Sequence, residues 1–361
     1  MKRILRAFIT IAASIVMMIA FVGTAGTASA ATKFVNGGQS IQKAIDAAKP
    51  GDTIIVRGVH RENVIIKKNR IKLLGVAAVL MPPATPAMNE CIDPTQPTVI
   101  HGICVRGKLD PMTQAVISRV SNVMVSGFTI RGFSGSGIVA MGARRATFQN
   151  NVARKNVEYG IAAFSSRGTN ILNNRVYGSH EAGLYVGDSP RSNALVSGNH
   201  SNRNALGLFI RNARYGTAQF NWLNRNCLGL LVLAGAPGPA GNFHVTRNKI
   251  NNNTKVCPPG DEAPPISGIG VAVLGGRGMR IDRNTITGNK PSGPTAFQGG
   301  VLVVEGIAEP GGPPPSAPIN NKVQRNTILR NQPDIVRDGT GSGNVLRPNL
   351  CKTSTPAGIC P

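Results

Sequence analysis

Short apolar runs recur along the middle of the chain, and each of them follows a glycine. Within a run the apolar residues lie two positions apart, as Ile138 and Ala140 do. This spacing is typical of a β-strand that turns alternate side chains towards one core. The glycines that open the runs are Gly137, Gly160, Gly183, Gly207, Gly229, Gly270 and Gly300. The first five are 23, 23, 24 and 22 residues apart, and the later intervals of 41 and 30 indicate insertions.

Asparagine recurs with the same period. One column comprises Asn151, Asn174, Asn199, Asn221, Asn248, Asn284 and Asn326. A second column, five residues further on, comprises Asn156, Ser179, Asn204, Asn226, Asn253, Asn289 and Asn331. Asparagine tolerates the left-handed backbone of a tight corner, and its amide can hydrogen-bond to the same residue in the next repeat. We therefore interpret both columns as structural.

A repeat of this length with two or three strands and no helical pattern must coil back on itself. Successive coils then stack about 4.8 Å apart and form parallel sheets. The expected fold is an all-β, single-stranded parallel β-helix with coils of about 22–25 residues. Ahead of the repeats, Ser40 is placed to cap a short helix over about 40–49, with Ile41 and Ile45 on one face. Such a helix would cover the open end of the first coil.

The segment Ser40-Ile-Gln-Lys-Ala-Ile-Asp-Ala-Ala-Lys-Pro-Gly-Asp-Thr-Ile resembles the entry segment of the pectin-lyase-like parallel β-helix superfamily, as do Arg61-Glu-Asn-Val and Ile71-Lys-Leu-Leu-Gly75. The later coils resemble NosD-type and general parallel β-helix repeats. The resemblance covers nearly all of the chain after residue 30 and implies a right-handed β-helix. It does not imply one activity, because the superfamily includes lyases, hydrolases, epimerases, phage proteins and non-catalytic members.

The N-terminus has the order of a secretory signal peptide. Lys2, Arg3 and Arg6 precede an apolar run over 7–22, and small residues ending at Ala30 follow. A retained membrane anchor is the alternative. Cleavage after Ala30 predicts an exported protein, either secreted or held in the cell envelope.

The remaining chain is expected to form one domain. We divide the sequence into a signal peptide at 1–30 and a β-helix domain at 31–361. Departures from the repeat predict inserted loops at about 81–114, 253–265 and 309–318, and a C-terminal cap at about 332–361. Insertions in a solenoid protrude from one side and often shape a binding groove.

Six cysteines follow the predicted cleavage point: Cys91, Cys104, Cys227, Cys257, Cys351 and Cys360. An even number in an exported chain predicts disulfides. Six cysteines allow fifteen pairings, and pairing of nearest neighbours closes the smallest loops. Zinc binding is the alternative, but the sequence has no Cys-x-x-Cys spacing.

The chain has 40 Lys and Arg against 16 Asp and Glu, a formal charge of +24. A charge of this size attracts polyanions. The expected partner is an acidic polysaccharide or another anionic polymer of the cell envelope. We expect no specific binding of nucleic acid. A solvated basic surface without a partner is the alternative. We expect a monomer with no transmembrane segment after the signal peptide.

Two columns of outward side chains concentrate basic and aromatic residues over the central coils. One column, directly after the first asparagine column, reads Val152, Arg175, His200, Trp222, Lys249, Thr285 and Thr327. The other lies in the Gly-led strands and reads Val139, Ala162, Tyr185, Phe209, Leu231, Ala272 and Leu302. Aromatic faces can hold sugar rings, and Arg or Lys can hold carboxylates. The predicted substrate-binding residues are therefore Arg175, Tyr185, His200, Phe209, Trp222 and Lys249; a solenoid face covered by a loop is the alternative.

Glu158 and Glu181 each lie two residues before a coil glycine, so they should stack on adjacent coils about 5 Å apart. Paired carboxylates raise one pKa or bind a cation, here calcium, and this separation also suits a retaining glycosidase. A uronate lyase needs a base and a positive group as well. Lys155, His180 or Arg203 are candidates for these roles. The alternative is two exposed glutamates that pair with surrounding Lys and Arg.

Several familiar signatures are missing, among them the Asp-rich calcium ladder of pectate lyases and the Asn-Thr-Asp, Asp-Asp and Gly-His-Gly signatures of polygalacturonases. The leading hypothesis is therefore a secreted solenoid that associates with an acidic polysaccharide. The second is a polysaccharide lyase or a related carbohydrate-active enzyme. A periplasmic copper-maturation role rests on the NosD resemblance alone, because His60, His101, His180, His200 and His244 are scattered.

Overall fold

The computed structural model describes residues 30–235, 238–260, 264–307 and 314–361. Its strands stack coil upon coil into one parallel solenoid, which confirms the predicted β-helix. We number the three faces of a coil in the order in which the chain crosses them. Face 1 consists of the Gly-led strands and the strands that pair with them at either end: Val64–Ile66, Ile103–Arg106, Ile138–Met141, Ile161–Phe164, Ala182–Ser189, Leu228–Leu233, Ile269–Leu274, Gly299–Val304, Ile335–Arg337 and Ser354–Thr355. The predicted signal peptide lies outside the described residues, apart from Ala30.

Faces 2 and 3 follow face 1 within each coil and belong to one sheet that bends at a corner. Face 2 consists of Thr147–Gln149, Asn170–Leu172, Ala194–Ser197, Gly241–Thr246, Arg280–Asp282 and Lys322–Gln324. Face 3 consists of Val152–Arg154, Arg175–Tyr177, His200–Asn202, Trp222–Asn224, Lys249–Asn251, Thr285–Thr287 and Thr327–Leu329. The strand Leu206–Gln219 is long enough to run from face 1 onto face 2.

The first coils are less regular than the later ones. Four early strands precede the regular strands of faces 2 and 3: Thr32–Val35, Thr53–Arg61, Lys72–Met81 and Met124–Arg131. Two minor pairings lie outside the solenoid sheets. Lys108–Leu109 pairs with Val116–Ser118, and Val120–Ser121 pairs with Ala143–Arg144.

The expected N-terminal helix is present and spans Ile41–Asp46. The Ser40 hydroxyl accepts a hydrogen bond from the Lys43 backbone N–H, which satisfies a donor at the start of the helix. Ile41 and Ile45 are buried against the first coil. The helix therefore shields apolar side chains that a bare end of the solenoid would leave in water. Among the described residues, no helix has the length and apolar character needed to cross a bilayer.

The core follows the predicted repeat. Ile138 pairs with Ile161, and Ile161 pairs with Leu184, so equivalent apolar side chains stack inside the solenoid. The glycine that opens each run is required by this stacking. At Gly137 a Cβ would lie 2.6 Å from the Asn156 side-chain nitrogen and 2.7 Å from the Gly160 carbonyl oxygen. A larger residue would push adjacent coils apart.

The first asparagine column forms a continuous chain of hydrogen bonds from Asn151 to Asn349. At each step a side-chain amide donates to the side-chain oxygen of the next asparagine, as Asn221 does to Asn248 at 2.9 Å. The same oxygen accepts from the preceding backbone N–H. We call this chain the asparagine ladder. It satisfies corner groups that would otherwise be buried without partners.

The second asparagine column is interrupted at Ser179. From Asn204 to Asn331 it repeats the bonding of the first ladder and ends on the Asp334 carboxylate. The serine side chain is too short to continue it. Among the residues that the structure describes, the Asn156 side-chain nitrogen and the Ser179 hydroxyl are buried without a hydrogen-bond partner.

Each cysteine pairs with its nearest neighbour in sequence. The disulfides are Cys91–Cys104, Cys227–Cys257 and Cys351–Cys360. The first two attach the chain segments around Cys91 and Cys257 to strands or turns of the solenoid, and the third closes the C-terminal segment. The pairing that the sequence left open is thereby assigned.

Candidate active site at the glutamate turns

The chain passes from face 3 to face 1 through turns that carry the two predicted glutamates. We call the turns at 155–160 and 178–183 the glutamate turns. The Glu181 backbone N–H donates to the Glu158 carbonyl oxygen at 3.3 Å, so the two residues stack on adjacent coils. The Leu206 N–H in turn bonds to the Glu181 carbonyl oxygen at 2.9 Å. The structure therefore brings Glu158 and Glu181 together as the repeat implies.

Glu158 lies against side chains of the two preceding coils. Its side chain is 26% exposed. The Ser136 hydroxyl donates to a Glu158 carboxyl oxygen at 3.2 Å, and His101 Nδ1 lies 3.8 Å from the same oxygen. Burial, with a smaller contribution from the Glu181 charge, raises the pKa of Glu158 to about 7. The Glu158 carboxyl group is therefore partly protonated near neutral pH.

His101 lies beside Glu158 as a neutral group. Burial lowers the pKa of His101 to about 4. Its Nδ1 accepts a hydrogen bond from the Ser136 backbone N–H at 2.9 Å, so the imidazole proton lies on Nε2. A neutral His101 does not form a charge-assisted pair with Glu158. Sequence analysis did not single out Ser136, and it considered His101 only as one of five scattered histidines, because a repeat does not show which turn side chains contact Glu158.

Aromatic rings cover face 1 beside the glutamate turns. The Tyr185 ring centroid lies 4.6 Å from those of both Tyr159 and Phe164, and 5.3 Å from that of Phe209. Tyr185 itself is only 1% exposed, because its phenol lies over Gly187, where a side chain would clash with it. Tyr159, Phe164 and Phe209 are partly buried and form the outer surface of this aromatic cluster.

The two tyrosines remain protonated phenols. Burial first, and then the charge and hydrogen bonding of Glu181, raise the pKa of Tyr159. Burial and the neighbouring Asp188 raise the pKa of Tyr185, whose hydroxyl lies 3.5 Å from an Asp188 carboxyl oxygen. The site therefore combines a protonatable carboxyl group, a second carboxylate and phenol groups beside an apolar surface.

Inserted segments cover face 1 on both sides of this cluster. Towards the N-terminus, Cys91 and its disulfide partner pack on Val139. Towards the C-terminus, Ile266 and Phe297 pack over Leu231 and its neighbours. The aromatic cluster and the glutamate turns lie between these covered regions.

The other predicted catalytic residues lie at the edge of the glutamate turns. Lys155 and Arg203 are exposed and adopt left-handed backbone conformations directly after their face 3 strands. His180 is exposed next to Glu181. Their roles remain predictions.

The predicted substrate-binding residues divide between two faces. The two columns stack in the expected register, with Tyr185 opposite Phe209 and Arg175 opposite His200. Tyr185 and Phe209 belong to face 1, next to the glutamate turns. The others belong to face 3: Arg175, His200, Trp222 and Lys249. The structure therefore does not join the six residues into one groove.

The described residues contain no group of three or more His, Cys, Asp or Glu side chains arranged to hold a metal ion. Glu158 and Glu181 are the two carboxylates of the predicted calcium site, whereas calcium takes six to eight oxygen ligands. Calcium binding remains a prediction. The five histidines lie in different coils, and the described part of the chain does not bring them together as copper ligands.

Three overlapping stretches of this chain match the protein family described as "right handed beta helix region": residues 44–191, 100–239 and 137–308. The chain belongs to this right-handed β-helix family. The match spans the glutamate turns and both faces beside them. No curated protein has a significant sequence match to the chain.

Solved structures share the fold at low sequence identity. The A-module of the mannuronan C-5 epimerase of Azotobacter vinelandii is 16% identical, with a TM-score of 0.55 over 87% of this chain and 88% of that one. A pectate lyase is 13% identical, with a TM-score of 0.51 over 90% and 79%. An alginate lyase from a Paenibacillus strain is 15% identical, with a TM-score of 0.51 over 91% and 97%. These similarities establish the β-helix fold.

Proposed function

We propose that this protein is exported, binds an acidic polysaccharide and cleaves it by elimination at the glutamate turns. The observation that carries the catalytic part is the Glu158 carboxyl group, whose pKa is raised to about 7 next to Glu181. Two neighbouring carboxyl groups in different environments can divide the roles of acid and base. The disulfides fit an oxidising compartment outside the cytoplasm.

The proposed substrate class rests on two observations. The formal charge of +24 favours a polyanion over a neutral glycan. Solved structures with this fold carry the names of enzymes for mannuronan, pectate and alginate, all of them polymers of uronic acids. A uronate has the acidic proton beside its carboxylate that elimination requires.

The proposed reaction conserves protons and electrons within the two glutamates and the substrate. The Glu181 carboxylate removes the proton at C5 of the uronate. The electron pair forms the C4–C5 double bond as the bond from C4 to the glycosidic oxygen breaks. Protonated Glu158 gives its proton to that oxygen. Lys155 and Arg203, at the edge of the turns, neutralise the substrate carboxylate and stabilise the charge that develops at C5.

The partly buried surface of the aromatic cluster orients the sugar. Tyr159 lies against Glu181, and Phe209 extends the ring surface beyond Tyr185, so a sugar ring can pack against this cluster. Because a protonated Glu158 is the acid, we expect the rate to fall as the pH rises through about 7.

Ultraviolet absorbance of the unsaturated uronate tests this reaction. The protein is incubated with pectate, alginate and glycosaminoglycans, with and without calcium, beside Glu158→Gln and Glu181→Gln. We expect absorbance to rise with one of these polymers and to be lost in both variants. The exposed Glu90→Gln, whose side chain pairs with Lys67, is the matched control and should keep the activity.

Other outcomes would change the proposal. New reducing ends without ultraviolet absorbance would show hydrolysis, which the stacked carboxylates also suit. Retained binding without either product would leave a non-catalytic polysaccharide-binding solenoid. Dependence of the product on added calcium would support the predicted cation at Glu158 and Glu181.

A further inference from the structure

Positive charge runs along face 3 and the corner that directly follows it. Five successive coils each place at least one cation there: Arg154, Arg175, Arg203, Arg225 and Lys249. We call these residues the cation row. All but Arg154 are exposed, and Arg154 is half-buried. Because the coils are about 4.8 Å apart, the row advances along the solenoid axis by roughly one charge per coil.

The row has no acidic partners on its own face. In these five coils the face 3 strands and the single residue after each strand contain no Asp or Glu. Within the described part of the chain, none of the five cations forms an ion pair. Stacked like charges repel one another, and a bound polyanion would relieve this repulsion.

Rings hold part of the row in place. The imidazole of His200 and the indole of Trp222 are parallel within 5° at a centroid distance of 4.2 Å. The Lys249 ammonium lies 5.3 Å from the Trp222 ring centroid. Two coils before Trp222, the Arg175 guanidinium lies 5.8 Å from the Tyr177 ring centroid. These contacts limit the motion of the cations and lower the entropy lost when a ligand binds.

The stack also decides what kind of contact Trp222 can make. His200 and Lys249 occupy the coils on either side of Trp222, so both faces of the indole contact the protein. The indole N–H donates to the Asn251 side-chain oxygen at 2.8 Å. Although 40% of Trp222 is exposed, neither a sugar nor a nucleobase can stack squarely on it. Recognition at face 3 must therefore come from the charges beside the ring.

We propose that the cation row is a second binding site, which holds a carboxylated polysaccharide along the solenoid axis and shares Arg203 with the reaction site. The ligand class rests on the proposed function, and the site itself rests on the face 3 geometry. A polyuronate carries one carboxylate per sugar, which suits a row with a cation in every coil. Duplex DNA is denser, with one phosphate per about 1.7 Å of axis, and single strands depend on stacking that Trp222 does not offer.

Binding measured without turnover tests the site. In a Glu181→Gln background, Arg225→Gln with Lys249→Gln is compared with Lys72→Gln with Lys322→Gln, which removes the same charge from exposed positions on the face 2 side. The ligands are polygalacturonate and alginate, titrated by calorimetry. We expect the face 3 pair to weaken polymer binding about tenfold and the control pair less than twofold. Equal weakening by both pairs, or no weakening, would overturn the proposal.

Two further measurements separate this site from its alternatives. Displacement of the polymer by single-stranded DNA at equal charge would contradict the assignment to a carboxylated polysaccharide. If the enzyme turns over, the face 3 pair should raise KM for the long polymer and leave kcat unchanged. If no product forms at all, the proposed reaction is wrong. The comparison of polymer affinity between the face 3 pair and the control pair still tests the second site.

Discussion

At the scale of single residues, Glu158 is the most informative side chain in the molecule. It is held by Ser136, close to His101, and a second carboxylate lies on the next coil. Burial and that charge raise its pKa to about 7, so the group gains and loses its proton in the neutral range. Ionisation of a partly buried carboxyl group lowers the stability of the folded protein. Carboxyl groups with such raised pKa values are concentrated at catalytic sites.

The raised pKa predicts a pH-dependent effect of Glu158→Gln on stability. Between the ordinary pKa of 4.5 and about 7, the folded protein keeps a proton that the unfolded chain loses. The contribution of Glu158 to stability therefore falls as the pH rises through this window. Urea denaturation should show the variant more stable than the wild type by about 1–2 kcal/mol at pH 8, after allowing for partial exposure, and nearly equal to it at pH 4.5. A difference that does not change with pH would refute the raised pKa.

The sequence predicts some of this site and not the rest. The stacking of Glu158 on Glu181 follows from the repeat, because both lie two residues before a coil glycine. The burial of Tyr185 does not, because it depends on the space that Gly187 leaves for the phenol ring. The contacts of Ser136 and His101 with Glu158 were not predicted either, because a repeat pattern does not show in which direction a turn side chain points.

At the scale of elements, the two asparagine columns differ in a way that bears on function. The first ladder is continuous, whereas the second is broken at Ser179, in the glutamate turn that holds Glu181. Proteins tend to depart from locally stable patterns at functional sites. The interruption therefore fits the placement of the reactive groups in these turns.

Replacing Ser179 with Asn should complete the second ladder. The new side-chain oxygen would accept from the buried Asn156 side-chain nitrogen, which has no partner among the described residues. We expect the free energy of unfolding to rise by about 1 kcal/mol, measured by urea denaturation. Ser179→Ala is the control and should not stabilise the protein. A destabilised Ser179→Asn would show that the turn has no room for the amide.

The continuous ladder should be costly to break. In Asn221→Ala, the Asn199 backbone N–H and side-chain amide lose their shared acceptor, and the Val196 carbonyl loses a donor. Because these groups are buried, we expect a loss of about 3 kcal/mol or more in chemical denaturation. Asn170→Ala, which removes only a 3.4 Å contact with Thr147 outside the ladder, should cost less than about 1 kcal/mol. Equal costs would contradict the importance of the ladder.

At the scale of the whole molecule, the solenoid was predictable and the arrangement of its faces was not. The period of the apolar runs determines how coils stack, and the observed register agrees with it. The same period cannot tell which two columns lie side by side around a coil. The period therefore did not show that Tyr185 and Phe209 lie on face 1 and Trp222 on face 3, and the shared role of these residues in substrate binding stays a prediction.

Two disulfides attach inserted segments to the solenoid and the third closes the C-terminal segment, and the contribution of each to the free energy of unfolding should follow the length of chain that it closes. Cys227–Cys257 spans 30 residues and Cys351–Cys360 spans 9. Replacing the first pair by Ala should cost about 3.6 kcal/mol, and replacing the second about 2.6 kcal/mol, from the lost restriction of the unfolded chain. Denaturation of both double variants checks this order. A larger loss for the C-terminal pair would show that capping of the last coil outweighs loop closure.

The run of cations over successive coils has a kinetic consequence. A linear polymer that shifts by one sugar still meets a cation in each coil along the row. Binding positions along the axis are then similar in energy, and low barriers separate them. A polysaccharide held in this way can slide along the solenoid without dissociating, as proteins held by charge slide along DNA. Successive cuts could thus follow a single encounter between the protein and its polymer.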